Sequence, residues 1–319
     1  MQRYLYRRIL MTVPTIFGVT VLIFFFMRIL PGDPLAHIVG EDTGIYILTP
    51  EELAAARHSL GLDRPLVLQY LGWVADVLKG DMGHSFWNAK QIREMIMRRG
   101  PITGQIALMA IVISWLVGLP TGMIGAVWRN SWMDHSSRLV VTLFLAVPSF
   151  WLGLSFVLIT VLVWTWRPPL TIFYLWDDPI KNLQLTLGPA VAMGLGLGAA
   201  IARMSRSTLL EVYREDYVRT ARAKGLGEHP VIWRHVLRNA LLPVITVSGL
   251  QMASLLGGSV AVERAFGVPG LGLSLVQAIT ERDWMIIQNL VLIYGLTFVF
   301  INLAIDLAYG FIDPRIRYQ

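Results

Sequence analysis

Long apolar blocks separated by polar loops are the dominant pattern along this chain. We place six of them, at residues 9–30, 103–127, 139–165, 186–204, 240–262 and 286–310. A helix of about 20 residues spans the roughly 30 Å hydrocarbon core of a bilayer. The pattern therefore predicts an all-α integral membrane protein with about six transmembrane helices.

Composition strengthens this prediction. Of the 319 residues, 55% are hydrophobic and only 15% are charged, and the chain has no cysteine. Soluble domains carry about a quarter charged residues, so most of this surface does not face water. The lack of cysteine excludes disulfides, thiolate metal ligands and cysteine nucleophiles.

The charges in the loops predict the orientation. Cytoplasmic loops of membrane proteins are enriched in Lys and Arg, and here the loops after the second and fourth blocks are the basic ones. Both termini are then cytoplasmic. The first block is longer than a secretory signal, and Pro-Gly-Asp-Pro at residues 31–34 follows it instead of a cleavage site. The net charge of +6 is thus attributed to membrane orientation, and we expect no nucleic-acid partner.

The polar stretch after the first block defines the domain organisation. We assign 1–30 to the cytoplasmic N-terminus and first helix, 31–102 to an extracytoplasmic segment, and 103–319 to a five-helix core. Residues 49–52, Thr-Pro-Glu-Glu, are typical of a helix start. A second stripe has helical spacing and predicts a helix packed on the domain itself: Val67, Tyr70, Leu71, Val74 and Leu78.

Glycines inside the blocks predict close helix packing. Gly118 and Gly122 lie one turn apart in the second block, and Gly194 and Gly198 in the fourth. Small residues let membrane helices approach closely. A nucleotide-binding function for the Gly-x-Gly-x-Gly run at 194–198 is disfavoured because no strand precedes it.

Motifs for catalysis and ATP binding are missing from the sequence. It has no His-Glu-x-x-His, no Gly-x-Ser-x-Gly and no phosphate-loop motif. We therefore expect no enzymatic activity, no catalytic residue and no metal site on this chain. The apolar blocks are almost uncharged, and this near absence of charge disfavours ion-coupled transport. Asp306 is the main exception.

Neutral polar side chains within the blocks are candidates for lining a translocation path: Gln105, Gln251, Ser254 and Ser259.

The predicted cytoplasmic loop at residues 205–239 is long, basic and rich in helix formers. Its centre combines basic and small side chains and reaches a glycine: Arg219, Thr220, Ala221, Arg222, Ala223, Lys224, Gly225 and Leu226. A short helix with small side chains, broken by glycine, suits a groove in a partner and a joint that transmits motion. An ordinary basic loop explains the composition equally well.

At this loop the chain resembles the permeases of binding-protein-dependent ABC importers, in particular the first permease type of the dipeptide, oligopeptide and nickel branch. Residues 216–226 are similar to that branch's form of the loop signature called EAA, and 238–243 to its end. Arg219, Thr220 and Ala221 stand where the general signature begins Glu-Ala-Ala, so the role of that glutamate is not transferred. Further matches cover nearly the whole chain, at residues 30–34, 60–65, 80–85, 148–154, 262–272, 282–283 and 313–317.

The resemblance implies an assembly in the bacterial inner membrane. Such importers combine two homologous permeases with two ATP-binding subunits, which hold ATP and Mg²⁺, and an extracytoplasmic solute-binding protein. It further implies that the loop at 219–226 is a coupling helix docked on the ATPase. The external segment resembles a scoop that receives the binding protein, and its polar candidates for that contact are Asp33, Asp63, Arg64 and Asp81.

Three alternatives stay open at this point. A secondary transporter would show charged midplane residues and internal repeats, and an intramembrane enzyme would need a catalytic constellation. An export-type or scaffold membrane protein of the same ABC class is the third, and only the resemblance of the external features argues against it. The external segment, in turn, could be a stabilising cap only. The solute is also open, since the resembling proteins carry dipeptides, longer peptides, glutathione, nickel chelates, opines or sugars.

Overall fold

The computed structural model describes residues 2–29, 51, 54, 57–58, 62–85 and 90–312. Several predicted features therefore lie outside the described residues. These are Asp33, most of the helix start at 49–52, the motif at 313–317 and the side chain of Asp306.

Helices account for nearly all of the described chain, in agreement with the predicted fold class. Their bounds are α1 Gln2–Ile29, α2 Leu66–Leu78, α3 Ile92–Val127, α4 Trp132–Ala146, α5 Ser149–Trp164, α6 Pro179–Val212, α7 Asp216–Ala223, α8 Leu237–Phe266, α9 Leu271–Glu281 and α10 Trp284–Ile312. A helical turn at Glu228–Pro230 and a π-helical segment at Val231–Val236 lead directly into α8.

Four helices in the described chain are long and apolar enough to cross a membrane: α1, α3, α6 and α10. Two bent pairs raise the number to six if each pair is one span. One is α4 with α5, and the other is α8, which bends by 61° between Met252 and Gly257. The bend in α8 falls beside Gly257 and Gly258, where helices kink readily. Several membrane-crossing helices are thereby confirmed.

The third predicted span, residues 139–165, is not one straight helix. The axes of α4 and α5 differ by 97°. Pro148 lacks a backbone N–H and forces the preceding residue out of the helical region, and Val147 is extended at φ −93° and ψ 123°. The block thus contains two helices that meet at a corner.

The second predicted span also begins earlier than expected. Its helix, α3, starts at Ile92 and runs through Pro101 and Pro120 to Val127. The predicted boundary at residue 102 falls inside this helix. Neighbouring groups satisfy the backbone that proline interrupts within a membrane helix, so Pro101 does not end the helix there.

The tightest helix contact joins α3 to α6, and it confirms the predicted role of the glycines. A Cβ atom built on Gly118 would lie 2.4 Å from the carbonyl oxygen of Gly198, and one on Gly122 would lie 2.5 Å from that of Ala202. The backbones themselves are in contact, so side chains larger than hydrogen are excluded at both positions. The helix α6 is correspondingly the most deeply buried of the four unbroken spans.

The amphipathic stripe predicted for α2 is only partly correct. Tyr70 and Trp73 are the buried residues and pack on Phe24 of α1 and Leu292 of α10. Three members of the predicted stripe are exposed instead: Val67, Leu71 and Leu78. Because α2 is apolar at all but two of its positions, Gln69 and Asp76, its periodicity alone does not select the side that packs.

Two of the family-like motifs contact each other just before α10, and a third is closed by a contact of its own at the C-terminal end of α8. The Ser85 hydroxyl donates to the Asp283 carboxylate at 2.5 Å. The carboxylate of Glu263 accepts from the backbone N–H groups of Gly272 at 2.7 Å and Leu273 at 3.2 Å. The predicted fifth span ended at residue 262, so the sequence analysis missed that Glu263 is fully buried within α8 and caps α9.

Candidate partner-docking surface

The helix α7 is held from one side by a small apolar cluster. Val218 and Ala221, three residues apart and therefore on one helix face, are buried. They pack with side chains from α3, α6, the π-helical segment and α8. The cluster members are Ala126, Leu209, Val218, Ala221, Val231, Val236, Leu237 and Ala240.

Two polar contacts fix the orientation of α7 further. Asn239 Nδ2 donates to the Tyr217 hydroxyl at 2.9 Å. Arg222 donates to both oxygens of Glu228, at 2.8 and 3.1 Å, and its guanidinium lies 5.4 Å from the centre of the Tyr213 ring. The hydrogen bond to Glu228 raises the pKa of Arg222, and burial raises the pKa of the Tyr213 phenol.

A tight turn follows α7 at Gly225. Its N–H donates to the carbonyl of Arg222 at 2.9 Å, and its φ is +81°. That left-handed conformation favours glycine. The expected helix break at this position is confirmed, and a Cβ atom there would meet nothing within 4 Å.

The eight predicted docking residues lie together on α7 and this turn, but they do not share one environment. Ala221 points into the apolar cluster. The others are exposed: Arg219, Thr220, Arg222, Ala223, Lys224, Gly225 and Leu226. Two further exposed apolar side chains flank them, with Tyr217 at 41% and Trp233 at 54% exposure.

Sequence reasoning missed the residues that position α7. Glu228 is six residues from Arg222 and beyond a glycine turn, so no helical spacing connects them. Tyr217 and Asn239 are 22 residues apart. The spacing of Val218 and Ala221 was a usable signal for the buried face.

The four path candidates have separate locations. Gln105 is half-buried and exchanges hydrogen bonds with Asn182 of α6 at 2.6 and 3.1 Å. Ser259 is fully buried. Ser254 is exposed, and its hydroxyl donates to the carbonyl of Gln251 at 2.7 Å. Only Gln251 and Ser254, one turn apart on α8, are therefore neighbours within this set.

The described binding-protein candidates are exposed and lie near α2. Asp63 is 3.5 Å from His58 Nδ1. The carbonyl of Arg64 accepts from Gln69 at 2.7 Å. Asp81 accepts from the N–H of Gly83 at 2.8 Å within a turn. These local contacts leave all three side chains at the surface.

The exposed groups around α7 are suited to binding a protein. They are cations, a hydroxyl and apolar side chains, which bind through ion pairing, hydrogen bonding and burial. Across the described ranges, no cluster of three or more His, Asp or Glu side chains has a geometry that could hold a metal ion.

Taken together, the bundle of membrane helices and the exposed basic element between α6 and α8 are typical of a transport permease. The family described as binding-protein-dependent transport system inner membrane component matches residues 118–318, and its N-terminal family matches residues 1–107. The chain belongs to this family. It is a multi-pass inner membrane protein and a permease subunit of an ABC importer.

Curated relatives match along their whole length. A di/tripeptide transport system permease protein of Pseudomonas aeruginosa is 38% identical over 342 residues, with 100% of both chains covered. A glutathione transport system permease protein of Escherichia coli is 36% identical over 319 residues, again with 100% of both chains covered. These similarities support an ABC permease over a secondary transporter.

Solved structures share the fold at lower identity. The inward-facing MetNI methionine ABC transporter aligns with a TM-score of 0.55 at 21% identity, over 69% of this chain and 96% of that one. An amino acid ABC transporter solved with histidines aligns with a TM-score of 0.53 at 13% identity, over 74% and 96% of the two chains.

Proposed function

We propose that this permease carries short peptides or chemically similar solutes inward, driven by ATP hydrolysis on separate subunits that dock on α7. The observation that carries the proposal is the division of α7 into two faces. Val218 and Ala221 anchor it to the chain's own cluster, while Arg219, Thr220 and Ala223 are exposed.

A displacement of α7 by a partner would be passed on to two membrane helices. The cluster under α7 includes Leu209 of α6 and Leu237 of α8. A push on α7 therefore acts on the ends of two long helices at once. The bend in α8 at residues 252–257 is the point where such a push can change the helix direction. ATP binding then stabilises one of two packed arrangements, and the loaded binding protein biases the same equilibrium.

The solute class rests on the relatives' names. One relative is named for di- and tripeptides and another for glutathione, itself a tripeptide. Both match the full length of this chain. Of the path candidates, we assign the solute-facing role to Gln251 and Ser254, since both are neutral and at least partly exposed, whereas the Gln105 amide is bound to Asn182 and Ser259 is buried.

The remaining parts of the proposal concern partners and orientation. The assembly contains a second homologous permease, two ATP-binding subunits that hold ATP and Mg²⁺, and a solute-binding protein. The basic α6–α8 connection and both termini are cytoplasmic. Asp63, Arg64 and Asp81 then lie outside, where the binding protein approaches.

The test uses the assembled transporter in vesicles, with the binding protein supplied. Ala223→Trp adds bulk to the exposed face of α7, whereas Ala223→Ser keeps a small side chain there. We expect Ala223→Trp to lose most peptide-stimulated ATP hydrolysis and uptake of a labelled tripeptide, and Ala223→Ser to keep both. Equal elution profiles on size exclusion would show that both variants fold.

The outcomes separate the parts of the proposal. Normal ATP hydrolysis and uptake in Ala223→Trp would contradict docking at α7. Stimulation by a sugar or a nickel chelate but by no peptide would contradict the solute class and leave the docking assignment in place.

Orientation has its own test, because the chain contains no cysteine. Arg219→Cys and Asp178→Cys place single thiols at exposed or half-exposed positions at opposite ends of α6. A membrane-impermeant maleimide added to intact cells should label Asp178→Cys and spare Arg219→Cys. The reverse pattern would contradict a cytoplasmic α7.

A further inference from the structure

A cavity lies between α3, α4 and α6, at the end of these helices that faces α7. Its volume is about 550 Å³. Three arginines line it: Arg138 from α4, and Arg203 and Arg206 from α6. A wall with three guanidinium groups at the end of a membrane span is an uncommon concentration of positive charge.

A buried carboxylate holds two of these arginines in place. Asp134 is fully buried and accepts hydrogen bonds from Nε and Nη2 of Arg206 at 2.7 and 2.9 Å. Arg138 Nε lies 3.6 Å from the same carboxylate. One negative charge therefore faces three positive ones, and the cavity retains an excess of positive charge.

The other titratable groups nearby do not remove this excess. His135 bonds to Arg138 through Nδ1 and cannot supply negative charge. Glu211 is exposed, lies outside the lining and accepts from the Ser207 hydroxyl at 3.2 Å.

Arg203 is the group in this cavity that can take an external ligand. In the part of the chain that the structure describes, no hydrogen bond or ion pair engages its exposed side chain. A guanidinium presents a planar fork of N–H donors that fits the oxygens of a phosphate. An anion with several oxygens would bridge Arg203 and the N–H groups that Arg206 and Arg138 still have free.

The rest of the lining is mixed: hydroxyl residues stand among apolar ones, and the apolar side along α4 continues onto exposed leucines of that helix. Val141, Leu145 and Ala146 line the cavity beside the arginines. On the same helix, Leu139 is 74% exposed and Leu143 is 58% exposed. A molecule with an anionic head and an acyl chain matches both parts, whereas free phosphate matches only the first.

We propose that this cavity is a binding site for an anionic phospholipid, with the phosphate on Arg203, Arg206 and Arg138 and an acyl chain along α4. Basic pockets between membrane helices are suited to such head groups. A lipid there would tie α4 to α6 next to the proposed docking element, and would make the permease sensitive to the membrane's anionic lipid content.

The test measures lipid binding to the full chain, with the subunits that co-purify with it, by native mass spectrometry from a neutral detergent. Phosphatidylglycerol is compared with phosphatidylcholine of the same acyl chains. The variants are Arg203→Gln, Arg203→Lys and, as a control at an exposed arginine outside the cavity, Arg238→Gln. Ala146→Trp, which fills the apolar end of the cavity, is the second cavity variant.

We expect phosphatidylglycerol to bind better than phosphatidylcholine, and Arg203→Gln to weaken its binding about tenfold, as expected for loss of one charge-assisted contact. Arg203→Lys should lose less, Arg238→Gln nothing, and Ala146→Trp should also weaken binding. If Arg203→Gln fails to fold, Ala146→Trp decides the question.

Three results would overturn the proposal. Equal binding of the two lipids, or unchanged phosphatidylglycerol binding in both cavity variants, would remove the site. Displacement of the lipid by excess inorganic phosphate alone would indicate a soluble-anion site. Loss of binding whenever the other subunits are present would indicate that an acidic surface of a partner fills the cavity.

Discussion

Two regions of this permease are rich in small residues, and the structure uses them in opposite ways. Along α3 and α6, Gly118 and Gly122 face backbone carbonyls that a Cβ atom would approach within about 2.5 Å. Around α7, Ala223 is exposed and Gly225 has open space where a Cβ would lie. The first set brings two helices into backbone contact, whereas the second leaves room for another protein.

The two regions also differ in their ion pairs. Asp134 and Arg206, between α4 and α6, have side chains that are 0% and 24% exposed. Arg222 and Glu228, at α7, are 38% and 62% exposed. Solvent screening makes exposed pairs weak, whereas breaking a pair that buries a carboxylate leaves an uncompensated charge inside the protein and is costly. We infer that the α3–α4–α6 region is a rigid unit and α7 is a lightly held attachment, which suits a joint.

The largest expected effect breaks the rigid unit. Gly118→Leu forces α3 and α6 apart and should destabilise the protein by more than about 3 kcal/mol, beyond ordinary overpacking, because backbone must move. Gly104→Leu, on the same helix with nothing within 4 Å, is the matched control. Thermal unfolding followed by size exclusion measures both. Similar midpoints would contradict the rigid-unit assignment.

The second effect concerns the buried carboxylate. Asp134→Asn removes the charge that binds Arg206 and should cost about 2–3 kcal/mol, somewhat less than for a pair with both members buried. Arg138→Gln should cost less than 1 kcal/mol, roughly the value of a surface pair. The Arg138 side chain is half exposed, and its contact with Asp134 is longer than that of Arg206. The same unfolding assay compares them. If both variants lost the same free energy of unfolding, the pair of Asp134 with Arg206 would contribute nothing beyond the weaker contact with Arg138.

The sequence was sufficient to predict the class of fold and the location of α7, and the reasons are physical. Apolar blocks long enough for a bilayer predict membrane helices without knowledge of tertiary contacts. The positive φ of Gly225 is likewise a local property. The burial of Glu263 and the pairing of Arg222 with Glu228 were missed because they depend on tertiary contacts. The corner at Pro148 was missed for another reason: α3 runs on through Pro101 and Pro120, so a proline alone does not show where a membrane helix ends.

The same limit explains the candidate residues that separated. Ala221 and Ala223 have the same chemistry and lie two positions apart, yet one is buried and the other exposed. Their roles depend on which face of α7 meets the apolar cluster. Likewise, Gln105 was a plausible path residue until Asn182 was found opposite it. A neutral amide in a membrane helix serves equally well as a pore lining and as a helix contact.

A smaller effect is expected at the turn after α7. Any L-residue at Gly225 adopts the left-handed region at a cost of about 1 kcal/mol, and Asn tolerates it best. Gly225→Asn should therefore keep stability and ATP hydrolysis close to the original. Gly225→Arg should lower stability by about 1 kcal/mol for the same backbone reason, and should reduce transport-linked ATP hydrolysis far more than Gly225→Asn. Equal hydrolysis in the two variants would indicate that no partner surface approaches this turn.

The smallest expected effect separates stability from docking at α7. Glu228→Gln and Arg222→Gln, combined in a double-mutant cycle, should show a coupling of only about 0.5 kcal/mol in unfolding, because both side chains are partly exposed. The pair nevertheless fixes the direction of Arg222 beside the Tyr213 ring. ATP hydrolysis in the assembled transporter should therefore fall in Glu228→Gln without a matching fall in the unfolding temperature. A coupling of several kcal/mol would instead place α7 in the rigid unit, and the contrast between the two regions would no longer hold.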